Sequence, residues 1–113
     1  MDELLEVIKQ AFTSLKNFVR KIINGIISFM GHVVNWFRGL HLNQERHSPF
    51  ICNAQKEEIK KMLKSAPVRD VGIFKGVYDE QTGEIIHSEL LDGDALDTQT
   101  KNILGDEAIV VLT

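Results

Sequence analysis

The fold prediction depends first on residues 1–40, MDELLEVIKQAFTSLKNFVRKIINGIISFMGHVVNWFRGL. Large apolar residues recur in this stretch at spacings that alternate between three and four positions. Such a period is typical of an amphipathic α-helix whose apolar side chains form one continuous seam. The seam runs through Leu5, Ile8, Phe12, Leu15, Val19, Ile22, Ile26, Phe29, Val33, Trp36 and Leu40.

The pattern therefore predicts one long helix over residues 1–40. Glycine weakens a helix by about 1 kcal/mol relative to alanine, so the helix can bend near Gly25 or Gly31. The sixteen residues Ile22–Phe37 carry no charge. They are too few for a bilayer span, and their polar residues line up on one side. We therefore expect that the helix does not cross a membrane.

An apolar seam of this length has to be covered, and three coverings are open. The seam can pack on the rest of its own chain, on copies of itself, or on a membrane surface. About sixty residues remain outside the helix, and they offer little surface for the seam to pack on its own chain. On a membrane, the basic residues of the helix would contact anionic headgroups. These residues are Lys9, Lys16, Arg20, Lys21 and Arg38.

Residues 41–53 are predicted to connect the helix to the rest of the chain, because Gly39 is a natural helix stop. His41, His47 and Cys52 belong to residue types that bind metals, but their spacing matches no zinc pattern. No base or helix start that would activate the Cys52 thiol is apparent beside it. We expect a small buried cysteine here, and neither a metal ion nor a cofactor.

Residues 54–113 predict a small domain of order αββαβ with a three-stranded mixed sheet, which makes the whole chain α+β. The uniformly apolar tail is expected to be the central strand, buried on both faces. The predicted elements are a helix from Asn53 to about Lys64, strands over 70–79 and 84–91, a helix over 95–104, and a strand over 108–112.

The two middle strands are predicted to form a hairpin. Gly83 can adopt the positive φ that such a turn commonly needs. If Asp79 pairs with Glu84, then Val77 lies opposite Ile86 and Ile73 lies opposite Leu90. This register creates one continuous apolar face.

Two features of the second half could support chemistry. The acidic run Asp92, Asp94 and Asp97 resembles part of a calcium loop but lacks the distant glutamate of an EF-hand. A solvated loop with helix-capping aspartates is the simpler interpretation. His87 is expected opposite Gly76, on the face away from Val77, and no nucleophile or oxyanion donor is aimed at it.

Charge is distributed unevenly along the chain. The net charge of −3 argues against a protein that coats nucleic acid, and no nucleic-acid partner is expected. Residues 1–53 hold six bases and four acids, whereas residues 54–113 hold seven bases and twelve acids. Such polarity indicates that the two ends face different surroundings.

These observations predict a non-enzymatic attachment or assembly protein. Its N-terminal helix would associate with copies of itself, or bind an anionic membrane surface, and its acidic module would bind a partner protein. The expected location is the cytoplasm, including the inner face of a membrane. One alternative is a coiled-coil or bundle-forming structural protein without lipid contact. Another is a small ligand-binding or enzymatic domain that uses His87 and the acidic loop.

Overall fold

The computed structural model describes residues 3–64 and 69–112. Within them, a mixed sheet of five strands lies between two layers of helices. The elements in chain order are α1 (Glu3–Ala11), a 3-10 turn (Phe12–Ser14), β1 (Val19–Ile22), β2 (Ile26–Ile27), a π-helix (Phe29–Val34), α2 (Asn35–Gly39), β3 (His47–Asn53), α3 (Glu57–Leu63), β4 (Val71–Asp79), β5 (Glu84–Gly93), β6 (Ala95–Leu96), α4 (Thr98–Leu104) and β7 (Ile109–Val111).

The sheet has the strand order β1-β5-β4-β3-β7, so β4 is central and β1 and β7 are the edges. β1 runs parallel to β5, and the other neighbouring strands are antiparallel. β2 and β6 form a short parallel pair that continues the β1–β5 pairing after a shift of one residue. β1, from the first half of the chain, therefore lies along the C-terminal half of β5.

The long N-terminal helix is wrong. Residues 1–40 contain α1 with its 3-10 turn, two strands, the π-helix and α2. Residues 19–27 are rich in valine and isoleucine, which favour strands because their branched side chains pack well on a pleated surface. Gly25 has a φ of +121°, which lies outside the helical region and ends any continuous helix there.

Without that helix, the coiled-coil alternative loses the element on which it depends. In the part of the chain that the structure describes, no helix is long and apolar enough to cross a membrane.

The three-stranded sheet is also wrong, because five strands are present. β1 comes from the segment predicted as helix, and β3 comes from the segment predicted as a connector. The C-terminal strand, predicted to be central, is the edge strand β7. Ile109 is buried and the apolar residues after it are partly buried, because helices pack on both faces of the sheet, so an apolar strand does not require a central position.

The predicted hairpin is confirmed, but its register is not. Asp79 pairs with Glu84, and Gly83 in the turn has a φ of +76°. A bulge between Val77 and Tyr78 then shifts the pairing by one residue, so that Val77 lies opposite His87. Ile73 consequently pairs with Leu91 and not with Leu90.

The two helices predicted in the second half exist with later starts. α3 begins at Glu57 and ends at Leu63, with Lys64 as its C-cap, close to the predicted end at about Lys64. α4 begins at Thr98 because the Asp97 side chain accepts a hydrogen bond from the Thr100 N–H and caps it.

Two apolar cores lie on opposite faces of the sheet. On the first face, Ile8 and Phe12 from the N-terminal segment pack with Phe74 on β4. On the second face, Phe29 and Val33 from the π-helix pack with residues that include Ile73 on β4. Both cores therefore combine residues from 1–40 with residues from 54–113.

Candidate interaction surface at the edge of the sheet

The predicted seam is divided between the interior and the surface. Ile8, Phe12, Phe29 and Val33 are buried against the chain's own sheet. Leu5, Leu15, Trp36 and Leu40 are half-buried, and Val19, Ile22 and Ile26 are exposed. Because strands and helices alternate along residues 1–40, residues with helical spacing do not share one face.

The exposed part of the seam is concentrated on and beside β1. Across the described ranges, five large apolar side chains are exposed, and four of them belong to residues 19–30. Val19 is 63% exposed, Ile22 58% and Ile26 60%, and Met30 is the fourth. A cluster of large exposed apolar residues on one segment is typical of an interaction surface.

β1 combines this apolar character with an open backbone edge. It pairs with β5 on one side, and on its other side no strand formed by residues 3–64 or 69–112 is present. The Ile23 N–H donates a hydrogen bond to the Asp92 carbonyl at 2.7 Å. Backbone directions alternate along a strand, so the N–H and C=O of Ile22 point away from β5. An outward-facing backbone of this kind can pair with an added strand.

β1 is held to the sheet by a charged contact on its first face. Arg20 Nε donates to Asp92 Oδ2 at 2.8 Å, and Arg20 also contacts this oxygen through Nη2. The Arg69 N–H donates to the other carboxylate oxygen at 2.7 Å. Asp92 is 1% exposed, so its charge is buried and compensated. This contact attaches the edge strand through its side chains as well as its backbone.

The five bases predicted to contact headgroups do not form one surface. Lys9 on α1 lies 3.6 Å from Glu58 on α3, and Arg20 contacts Asp92. Lys16 and Lys21 are exposed near β1. Arg38 on α2 lines a groove beside β7, at the other edge of the sheet.

That groove is open to solvent and has a volume of about 1000 Å³. It lies between the π-helix and α2 on one side and the ends of β3 and β7 on the other. Most of its lining is apolar, and Arg38 and Glu80 are its charged residues. The lining residues are Leu4, Phe29, Val34, Phe37, Arg38, Leu42, Gln44, His47, Ser48, Pro49, Glu80, Val111 and Leu112.

The residues predicted for chemistry occupy separate places. His87 pairs with Val77 and shares its face, so the expected position opposite Gly76 is wrong. His87 is exposed. In the acidic run, Asp94 Oδ1 lies 3.2 Å from Nη2 of the Arg69 guanidinium. Asp97 caps α4 and accepts a hydrogen bond from the Phe29 N–H at 3.0 Å.

The predicted solvated loop is therefore wrong for Asp92, which is buried within β5, and the acidic run joins structural elements to each other. Burial alone would raise the pKa of Asp97, but hydrogen bonds from Thr100 and the Phe29 N–H hold this pKa below its ordinary value. In the described ranges, no three histidine, cysteine or acidic side chains are grouped closely enough to hold a metal ion.

Cys52, His47 and His32 likewise have structural surroundings. Cys52 is buried in β3, and burial raises the pKa of its thiol, which opposes thiolate formation. His47 Nδ1 accepts a hydrogen bond from the Asn43 N–H at 2.9 Å, and His32 Nδ1 accepts one from the Ser28 N–H at 2.8 Å.

Sequence reasoning also missed the buried charge of Lys75 on β4. Its Nζ lies 2.7 Å from Glu89 Oε1, donates to the His32 carbonyl at 2.8 Å, and lies 4.4 Å from the centroid of the Trp36 ring. Burial lowers the pKa of Lys75, and the contact with Glu89 opposes this effect. The sequence feature that could have indicated this buried charge is a lysine inside the apolar run Val71–Tyr78. Because Lys75 is 1% exposed, we assign it a structural role.

The chain matches no known protein family, no curated protein and no solved structure. Functional inference therefore depends on the surface features of the chain itself. Of these, the exposed apolar edge formed by β1 and β2 is the most specific.

Proposed function

We propose that this protein is a non-enzymatic assembly protein that associates with copies of itself through the β1 edge. One observation carries the proposal: Val19 and Ile22 are exposed on the edge strand β1, and Ile26 is exposed on β2, which follows it. Strand addition uses outward backbone groups for affinity and alternate side chains for specificity. Covering each such side chain contributes about 1.5–3 kcal/mol, which can offset the cost of association.

The form of this segment favours a protein partner over a lipid surface. Interfacial membrane segments are usually helices, because a helix satisfies its own backbone hydrogen bonds. In β1 the backbone of Ile22 points away from β5, and acyl chains offer it no donor or acceptor. We also propose a cytoplasmic location, because the buried thiol of Cys52 requires no oxidising compartment.

Sedimentation velocity of the full chain, from low to high micromolar concentration, tests the proposal. We expect the mean mass to rise with concentration. Ile22→Asp should remove this rise, because it places a charge on the edge without changing either core. Ile86→Asp is the matched control, since Ile86 is exposed on β5 outside the β1 segment. Circular dichroism of both variants checks that they fold.

Two results would overturn the proposal. One is a monomer at every concentration, and the other is association that Ile22→Asp leaves unchanged. Co-sedimentation with vesicles of phosphatidylserine and phosphatidylcholine supplies the lipid comparison. A monomer that binds these vesicles, and loses binding in Ile22→Asp, would assign the edge to membranes.

A further inference from the structure

We infer that the β1 edge of one copy pairs with the β7 edge of the next copy, antiparallel and head to tail, into one continuous sheet. This inference rests on the proposed self-association and specifies its geometry. β1 and β7 are the two edges of the sheet, and the pairing pattern makes them run in opposite directions. A copy displaced along the sheet therefore brings β1 antiparallel to β7.

The backbone of β7 is oriented to accept such a strand. The Leu112 N–H donates to the Pro49 carbonyl at 2.8 Å, and the Asn53 N–H donates to the Ala108 carbonyl at 2.9 Å. Leu112 and Ala108 thus face β3. By alternation, the N–H and C=O groups of Ile109 and Val111 point away from β3. Ile22 on β1 presents its groups outward in the same way.

The side chains of the two edges can be matched face by face. Ile109 and Val111 pack on the first face of the sheet, whereas Val110 and Leu112 pack on the second. On β1, Ile22 lies on the first face and Val19 on the second. A register with Ile22 opposite Ile109 keeps both faces continuous. It places Val19 opposite Leu112, in the apolar groove lined by Val34 and Phe37.

Charge favours this pairing over a symmetric pair of two β1 strands. In a symmetric antiparallel pair of two β1 strands, residues that lie opposite each other must belong to the same face of the sheet. When the strands overlap as far as this condition allows, Arg20 or Lys21 lies directly opposite the same residue of the other copy. Like charges in opposite positions are destabilising. In the head-to-tail pair, the end of β1 with Lys21 meets the start of β7. That strand follows two exposed acids, Asp106 and Glu107.

The geometry also predicts how the assembly grows. A head-to-tail interface that continues one sheet and does not close into a ring leaves one β1 edge and one β7 edge open on every assembly. Light scattering should therefore show a mass that rises with concentration without a plateau. A symmetric β1–β1 interface would stop at twice the mass of one chain.

Two variants that each block one edge provide the decisive test. Ile22→Asp blocks β1, and Val111→Pro blocks β7 by removing an N–H that points away from β3. Each variant alone should remain a monomer. An equimolar mixture should form a one-to-one dimer and nothing larger, because only one intact edge remains on each copy.

Charge reversal gives a second test that does not depend on proline. Lys21→Glu, or Asp106→Lys with Glu107→Lys, should weaken association about tenfold. Combining all three changes should restore most of the loss. Glu84→Lys in the hairpin is the matched control and should have no effect, because Glu84 is exposed and lies on neither edge.

The possible failures are distinguishable. If the Val111→Pro variant and the variant with reversed acids still associate like the unaltered chain, β7 is not the acceptor, and the proposed self-association survives. If the unaltered chain is a monomer at every concentration, the proposed function itself fails. A mixture of the two blocked variants that stays monomeric, while the unaltered chain associates, also overturns the head-to-tail pairing.

Discussion

Lys75 and Glu89 form a buried ion pair on adjacent strands, with Nζ 2.7 Å from Oε1. Their side chains are 2% and 16% exposed. The His32 carbonyl and the Trp36 ring complete the surroundings of the ammonium group. The pair therefore joins the central strand β4 to the π-helix and α2, which cover the second face. Segments 29–39 and 71–93 are coupled at this point.

Breaking this pair should destabilise the fold. Lys75→Met leaves Glu89 without its cation, and we expect a loss of about 3 kcal/mol in the free energy of unfolding. Adding Glu89→Gln should restore at least about 1 kcal/mol, because the unpaired carboxylate is then absent. Urea unfolding measures both changes. Lys101→Met, at an exposed site on α4, is the control and should stay within about 0.5 kcal/mol. Equal losses in the single and double variants would contradict the coupling.

Gly76 on β4 has no room for a side chain. A Cβ at this position would lie 2.5 Å from Cζ of Phe50, which is fully buried. We expect Gly76→Ala to lower the free energy of unfolding by about 1–3 kcal/mol through overpacking. Gly39→Ala is the control, because its added Cβ meets no atom within 4 Å apart from its chain neighbours and the backbone of its own helix. Thermal and urea unfolding compare the two, and equal stability of both variants would refute the steric explanation.

Asp79 should make stability depend on acid pH. A hydrogen bond from Arg46 lowers the pKa of Asp79, burial opposes this, and the Gln81 and Thr82 N–H groups add to the lowering. The unfolded chain, with a pKa of about 3.9, binds the proton more readily. The contribution of Asp79 is therefore present above that pH and is lost as the pH falls through the folded pKa.

Urea unfolding of Asp79→Asn and the unaltered chain, at neutral pH and in acid, measures this effect. The stability difference between them should be largest at neutral pH and should shrink in acid. A difference that does not change with pH would show that Asp79 acts only through its shape and neutral hydrogen bonds.

Asp92 should control how firmly β1 is attached. Asp92→Asn removes the buried charge that Arg20 contacts, and we expect a loss of about 2 kcal/mol in the free energy of unfolding. Hydrogen exchange at the Ile23 N–H, which bonds to the Asp92 carbonyl, should become faster. Asp94→Asn changes an exposed pair with Arg69 and should cost under about 1 kcal/mol. Unchanged exchange in Asp92→Asn would show that backbone pairing alone holds the edge.

The sequence by itself determined the elements whose signals are local. The hairpin of β4 and β5 is encoded by apolar runs on either side of a turn in which Gly83 has a positive φ. The helix α4 is also a local feature, capped by Asp97 through the Thr100 N–H, although it begins three residues after the predicted start at Ala95. In each case the determining groups lie within a few residues of one another, so tertiary contacts need only preserve them.

Only the tertiary structure decided the secondary structure of residues 19–27 and the pairing of Lys75 with Glu89. Apolar spacings of three and four fit a helix, but the same isoleucines and valines form β1 and β2 along β5 and β6, which lie about seventy residues away. The bulge after Val77 depends likewise on packing between strands. Ile8 is buried because α1 packs on the first face of the sheet, whereas Ile22 is exposed because β1 lies at an edge. Which strand lies at an edge is decided by long-range pairing, because an isolated segment has no sheet to pack against.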